Sequence, residues 1–503
     1  MDKSKLMKLF RIIFILLGIA SLIYILFIRF AESITRSYGV DEYYHLHYAW
    51  LISQGKLPYS DFQTIYSPFF HLTLLPLFRI FGDSFAVFIA SRIVIFAFFL
   101  LGLLFTFGIG MMISSLGSAF LAVIIAAGLP MGIEKAIEIR PDNLMTMLFL
   151  GGVFCILKGL KQGRKIWYIG SGILFGLGFI TMVKISFSLL GLALGLLLFL
   201  AKRRMKKKQF KGLVHTLFSF FSILIISGFV LSVKGLMLPF MDQVIFNSSA
   251  VISSLRFGIE LHPFFWFLPN DAVYGIYKGF AWYLNCFIFF MIIFSLVGII
   301  RERKKESFIY KILIFIPLIT SFAYLYLVLR PFQQYLLLFL ALVPFFIALG
   351  VMDCYHLIFK SREWLKYILG IVLFAAFILA VHESWQVKKH WFDGNDRKFI
   401  NYVLTKTKKE DVFWGGDGNY VFRHDGYYAF TLRYMEVPSK VKAKYPPLIP
   451  MLEERRTKYL FLPTEAINKR IWPFDSKDKD EFVNWVKKNF MESDYPGIWV
   501  RKK

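Results

Sequence analysis

Acidic residues are scarce in this sequence, with 33 Asp and Glu against 59 Lys and Arg, and none of the acids falls inside a long apolar run. Carriers driven by ions or protons place ionisable groups near the bilayer midplane, where they mark the substrate path. Their absence argues against a coupled transporter. Cysteine is scarcer still. Cys155 and Cys286 sit inside apolar runs and Cys354 in a short loop placed in the cytoplasm, so no disulfide framework is implied. No internal repeat or low-complexity tract stands out.

Apolar surface is abundant: 57% of the 503 residues are hydrophobic, 19% are aromatic, and the mean hydropathy is +0.58. Roughly 45–50% apolar is ordinary for a soluble domain. Each long apolar run is close to the roughly 20 residues a helix needs to cross the hydrocarbon core. The net charge of +26 would suggest nucleic acid in a soluble protein, but most of the Lys and Arg sit in loops between apolar runs, so nucleic acid is not an expected partner. The pattern predicts spans at 9–30, 85–109, 116–133, 143–157, 166–183, 185–201, 213–233, 281–300, 308–329, 332–350 and 364–382. The first, Leu9 to Phe30, is too long for a signal-peptide core and lacks a small-residue cleavage site, so it reads as an uncleaved anchor.

Basic short loops stay cytoplasmic, which orients these spans. Lys3, Lys5, Lys8 and Arg11 come first, then Lys158, Lys161, Arg164 and Lys165, then the run Lys202–Lys211 (KRRMKKKQFK). Arg301, Arg303, Lys304 and Lys305 follow, and finally Lys360, Arg362 and Lys366. All fall on one side of an eleven-span chain with its amino terminus inside. The opposite side receives the first long loop (31–84), short loops at 134–142 and near Lys184, loops at 234–280 and 330–331, and the tail from Glu383. The tail turns polar, with apolar strings at Asp411–Gly415 and Tyr459–Pro463 and a helix-like stretch at 481–489. The expected fold is an all-α polytopic membrane protein, residues 1–382, followed by a small extracytoplasmic α/β domain, residues 383–503. Asn247-Ser248-Ser249 matches a glycosylation acceptor and carries little weight.

The polar residues that could carry chemistry gather on the extracytoplasmic side. Asp41 and Glu42 open the stretch 41–54, where apolar residues recur at helical spacing, predicting an amphipathic helix in the interface. An acid there serves equally as an N-terminal cap or dipole partner. His45, four residues on, can face Asp41, as a hydrogen-bonding histidine or as half of a metal pair. His47 and His71 have no such geometry and are assigned to packing or to the interface. Residues 55–82 predict a second surface helix, interrupted by Pro76. Arg140-Pro141-Asp142 places proline and an acid at a helix start, which suits the dipole as well as a site. Lys184, at a tight turn between two short spans, can snorkel to the interface or bind an anion. Arg330 can anchor lipid headgroups or clamp a phosphate with its planar fork. Glu260 and His262 form a further pair that could meet a metal or a phosphate.

Asp41-Glu42, Ala49, Gly55, Pro58-Tyr59, Asp61-Phe62, Tyr66-Ser67-Pro68 and Phe81-Gly82, in that order, resemble the first outer loop of the GT-C membrane glycosyltransferases, especially the protein O-mannosyltransferase and lipid A aminoarabinose transferase group. Arg140-Pro141-Asp142 is similar to that group's second acidic motif, Gly176–Lys184 to its glycine-rich helix ending in lysine, and Arg330–Pro344 to its later arginine-led helix. The resemblance covers residues 10–350 in order. It implies inverting transfer of a sugar from a polyprenyl-phosphate donor to a lipid, glycan or protein acceptor at the outer face of the cell membrane. Asp41 would be the base, with Glu42 and Asp142 beside it as catalytic acids, and Lys184, Arg330 and Arg140 would hold the donor phosphate. One departure stands out: Ser67 precedes a single Pro68 where several relatives carry lysine before a proline pair, so Lys184 or Arg330 must supply more of the phosphate contact. A sugar phosphate already has a good leaving group, so one carboxylate and fixed cations suffice. A divalent ion could share that work, and the sequence leaves it open. A transporter or flippase and a non-catalytic assembly factor are the competing classes; the ordered acid and cation motifs speak against a bare scaffold.

The topology is directly testable. A reporter active only outside the cytoplasm should work when fused after residue 390 and stay silent at Gln209. Identical behaviour of both fusions would show the span count to be wrong.

Overall fold

The computed structural model describes residues 3–129, 135–201, 206–247, 278–304, 307–327, 333–358, 394–415, 420–428, 446–462 and 476–502, with scattered positions between 370 and 386. Glu260, His262, Ser248, Arg330 and the loop cations Lys360, Arg362 and Lys366 lie outside the described residues. The chain divides into two compact units, one comprising Met1–Arg36, Ile93–Ile225 and Gly258–Trp391, the other Ser37–Arg92, Ile226–Phe257 and Phe392–Lys503.

The first unit is helical. Helices form over Leu116–Gly128, Pro141–Gln162, Lys165–Thr181, Ser186–Ala201, Lys278–Arg301, Ser307–Leu327 and Leu337–Ile358, each on a segment that the apolar pattern predicts. Among the described residues of the chain, seven helices are long and apolar enough to cross a membrane, and five apolar helices are shorter. Pro141–Gln162 packs against Lys165–Thr181, Ser186–Ala201 against Ser307–Leu327, and Leu337–Ile358 against both Lys278–Arg301 and Leu116–Gly128. Lipid tails are as apolar as leucine, so helices gain little by hiding apolar surface from them; close approach and buried polar contacts matter more. Both are present. Ser188 and Ser321 share a 2.6 Å hydrogen bond, and Thr216 and Ser171 donate to the carbonyls of Tyr168 and Gly152, each at 3.0 Å. At Gly172 a Cβ atom would collide with the Thr216 carbonyl and Ser219 Oγ on the Lys207–Val233 helix.

The second unit contains the Val40–Ser53 and Phe69–Phe81 helices and a five-stranded sheet. The strands are β1 (Val412–Gly415), β2 (His424–Asp425), β3 (Tyr459–Phe461), β4 (Phe490–Glu492) and β5 (Ile498–Arg501). Their order is β2-β1-β3-β5-β4, with β1 parallel to both neighbours and the β3–β5 and β5–β4 pairs antiparallel. A parallel β1–β3 pair needs a crossover, and the Leu448–Glu454 helix lies in that connection. Trp414 and Leu460 from the sheet pack with Leu452 and with Phe482 and Val486 of the Ser476–Asn489 helix. The apolar strings at 411–415 and 459–463 thus become the central strands, β1 and β3.

Helix contact in the first unit depends on glycine where backbones meet. Gly172→Leu should lower the thermal unfolding midpoint of the purified protein, at a cost of about 1–3 kcal/mol for overpacking. Gly228→Leu, where an added Cβ has nothing within 4 Å, should leave the midpoint unchanged.

Candidate functional site

In the first unit the Pro141–Gln162 helix begins with proline at its first turn, where no backbone N–H is needed, and Arg140 at its N-cap position. Asp142 follows in that turn and is completely buried. A carboxylate cannot stay charged in such a place without partners. It has two: the Lys184 ammonium, and Arg140 Nε at 3.3 Å. Lys184 comes from the single 3-10 turn Val183–Ile185 between the Lys165–Thr181 and Ser186–Ala201 helices. Its ammonium also lies 4.9 Å from the centre of the Tyr335 ring, close enough for a cation–π contact. The tertiary structure therefore brings together Arg140, Asp142 and Lys184, which are separated in sequence by up to 44 positions.

The turn before this helix carries a second buried acid that the sequence reading passed over. Glu138 meets Arg36 at 2.8 Å and Lys135 at 2.7 Å. Burial alone would raise its carboxyl pKa, but Lys135, Arg36 and Arg140 outweigh that and hold it down, to about 2. Asn143 ties the turn to the helix by donating to the carbonyls of Lys135 (3.0 Å) and Glu138 (2.8 Å). The signal for Glu138 was present: an acid three residues from a lysine and two from an arginine, in a chain poor in acids. Arg36 and Tyr335 carried no local signal, because only folding brings them here. Around the two carboxylates of Asp142 and Glu138 stand four cations, Arg36, Lys135, Arg140 and Lys184. Such a gathering of cations is the surrounding that a buried carboxylate requires. It does not suit a metal, since cations already occupy the carboxylates. Among the described residues no group of three or more His, Cys, Asp or Glu comes together as a metal-ligand set.

In the second unit Asp41 and Glu42 lie in the first turn of the Val40–Ser53 helix. The N-cap position is Gly39, so Asp41 does not cap the helix, and of the two roles open to it there only the dipole contact fits. Glu42 reaches back to accept from the Gly39 N–H at 2.9 Å. Arg92 grips the same carboxylate with two prongs, Nε at 2.9 Å and Nη2 at 2.7 Å, while it donates to the Ser37 carbonyl and covers the Tyr38 ring. Residues 42–51 of this segment are nearly all buried, but Asp41 is half-exposed. Glu42 thus holds the turn. His45 bonds to His71 at 3.1 Å, and burial pushes His71 down to about 3, so that ring is neutral. His47, assigned to packing or to the interface, pairs with Asp425.

The buried turn predicts an acid sensitivity. Glu138 has its pKa lowered from 4.5 to about 2 on folding, so its stabilisation is complete above about 4.5 and is lost as pH falls through 2. Glu138→Gln should destabilise the protein by about 3–5 kcal/mol at pH 7, because it leaves buried cations without their partner. Thermal midpoints followed against pH should show the wild type losing its advantage over the variant below pH 4.5.

Comparisons with known proteins agree with this architecture. The family model described as dolichyl-phosphate-mannose-protein mannosyltransferase matches residues 67–229. No curated protein matches by sequence. Among solved structures, the chain is similar to the archaeal oligosaccharyltransferase AglB from Archaeoglobus fulgidus, in complex with an inhibitory peptide and a dolichol-phosphate. The identity is 11% and the TM-score 0.56, over 97% of this chain and 74% of that one. It is also similar to ArnT from Cupriavidus metallidurans bound to undecaprenyl phosphate, at 13% identity and TM-score 0.55, over 84% of this chain and 85% of that one. At such identities the likeness is one of architecture, and the chain shares the fold of these solved structures.

Proposed function

We propose that the chain is an inverting glycosyltransferase that moves a sugar from a polyprenyl-phosphate donor to a lipid, glycan or protein acceptor at the outer face of the membrane. The observation that carries this reading is the buried gathering of Arg36, Lys135, Arg140 and Lys184 around Asp142 and Glu138 in a chain with this fold. The relatives' solved structures hold a dolichol-phosphate and undecaprenyl phosphate, and the same ligand chemistry suits this cluster. In the topology that the loop charges imply, with eleven spans and residues 383–503 outside, the Asp41 and Asp142 segments fall on the same side.

The reaction needs little from the protein beyond placement and charge. The acceptor hydroxyl oxygen attacks the anomeric carbon from the face opposite the phosphate, the bond from that carbon to the phosphate oxygen breaks, and its electron pair leaves with the phosphate. Asp41 takes the hydroxyl proton. Lys184 and Arg140, with Arg330 as the further candidate, stabilise the charge that grows on the leaving phosphate. Asp142 holds Lys184 and Arg140 in place, and Glu42 holds the turn that presents Asp41. Glu42 and Asp142 act in this reading by position.

Replacing Asp41 by Asn tests it. Asp41 is half-exposed and does not occupy the cap position, so the variant should be expressed, inserted and as thermally stable as the wild type. Loss of a general base costs about a hundred- to ten-thousand-fold in rate, so its transfer should fall below about one percent. Mass spectrometry of envelope glycolipids and glycans, with and without the gene, identifies the product to be followed. Normal product in the Asp41→Asn strain would sink the mechanism.

A further inference from the structure

Asp425 belongs to β2, near the far end of the chain, yet its Oδ2 lies 2.6 Å from His47 Nε2 on the Val40–Ser53 helix. Both side chains are almost wholly buried. On the other side of the ring, His47 Nδ1 lies 2.7 Å from the Val421 carbonyl oxygen. A carbonyl oxygen only accepts, so Nδ1 must carry a hydrogen. Nε2 and Oδ2 then share a single proton, since two bare lone pairs at 2.6 Å would repel. The imidazole is held from both sides by the C-terminal segment. Neighbouring rings reinforce this: Trp50 stacks on His47 at 5.8 Å and meets His424 of β2 at 5.1 Å.

The same segment grips the other end of the helix. Asp396, in the Gly394–Lys406 helix, accepts from the Tyr38 N–H at 3.0 Å, two residues before the helix begins. Its charge, after burial itself, helps to push the Tyr43 hydroxyl pKa up, so its field reaches that residue too. Asp41 lies between these two grips, three residues after Tyr38 and six before His47, about 9 Å along a helix from the latter. The loop after the helix is tied as well: the Gln63 N–H donates to the Tyr428 carbonyl at 2.9 Å, and Gln243 bridges Tyr59 and Tyr428.

We propose that the C-terminal segment is a clamp that sets the position of Asp41, with Asp425 and His47 as its positioning residues. This rests on the reading of Asp41 as the base and extends it to a role for the C-terminal sheet. A displacement of about 1 Å at a reacting group can cost a hundredfold in rate, whereas the donor's lipid phosphate is held by cations elsewhere in the chain. Loss of the clamp should therefore slow transfer and leave lipid binding intact.

The test uses full-length Asp425→Ala, Asp425→Asn, His47→Gln and Asp41→Asn proteins. Three quantities are measured: initial product formation in isolated membranes with their endogenous donor, binding of undecaprenyl phosphate by the purified protein, and the thermal midpoint. Asp425→Ala should lower the rate about a hundredfold while undecaprenyl phosphate binding stays within twofold of wild type. Asp425→Asn should recover most of the rate, because its amide donates to Nε2 while Nδ1–H still reaches Val421. His47→Gln keeps a donor toward Asp425 and loses the Val421 bond, so its rate should fall between those of the two Asp425 variants. It carries the test if Asp425→Ala fails to accumulate. Wild-type rates in Asp425→Ala or in His47→Gln, beside a silent Asp41→Asn, would overturn the clamp and leave the base assignment standing. So would an Asn variant as slow as Ala, or joint loss of rate and lipid binding, which marks general unfolding. Normal transfer by Asp41→Asn itself would remove the base assignment, and the clamp's purpose with it.

Discussion

A buried carboxylate must have cations around it, and in this protein that constraint decides which distant segments meet. Asp142 lies without solvent contact at the first turn of its helix, and it is held there by Lys184 and Arg140. Meeting that requirement brings the turn between two helices to the start of a third. Glu138 imposes the same condition one turn earlier, and Arg36, at the end of the first helix region, answers it. Neither group could be removed singly at low cost, because its partners would be left charged and dry.

The second unit obeys the same rule with different parts. Glu42 is wholly buried against Arg92, whose two-pronged contact a lysine could not reproduce. His47 is buried against Asp425. These pairs fix both the start and the later turns of one short helix, on which Asp41 is left half-exposed. A short helix is marginal by itself in water, so its position depends on such tertiary contacts. The proposed role of Asp41 depends on such support, since the efficiency of a general base depends on placement as well as on charge.

Much of this was legible in the residues. Helices at 116–128, 165–181, 186–201 and 307–327 follow apolar runs that admit nothing else in a bilayer, where every backbone polar group must be satisfied within the segment. Proline at 141, followed by an acid, marked a helix start, and the helix begins at Pro141. The spacing over 41–54 marked a helix that forms as Val40–Ser53. Short apolar strings such as DVFWG and YLFLP stood out in the expected α/β domain, and β1 and β3 form there. All of these rest on interactions a few residues apart. Capping shows where even local reading slips: an acid in the first turn looks like a cap, but the backbone placed Gly39 in that position and left Glu42 to reach back to it.

By itself, the sequence determined the membrane-spanning class of the chain, the helical segments, the polar motifs and the C-terminal change to strands, because apolar length, periodicity and charge are properties of neighbouring residues. Only the tertiary structure decided which charges meet. Nothing local distinguishes His47, which pairs with Asp425 across 378 positions, from His45, which bonds to His71. Nothing local separates Glu42, consumed by Arg92, from Asp41 beside it. The partner of a buried charge is chosen by packing between segments distant in sequence, where the cost of leaving it unpaired is several kcal/mol, about 3–5. That choice made Glu42, Glu138 and Asp142 members of buried ion pairs.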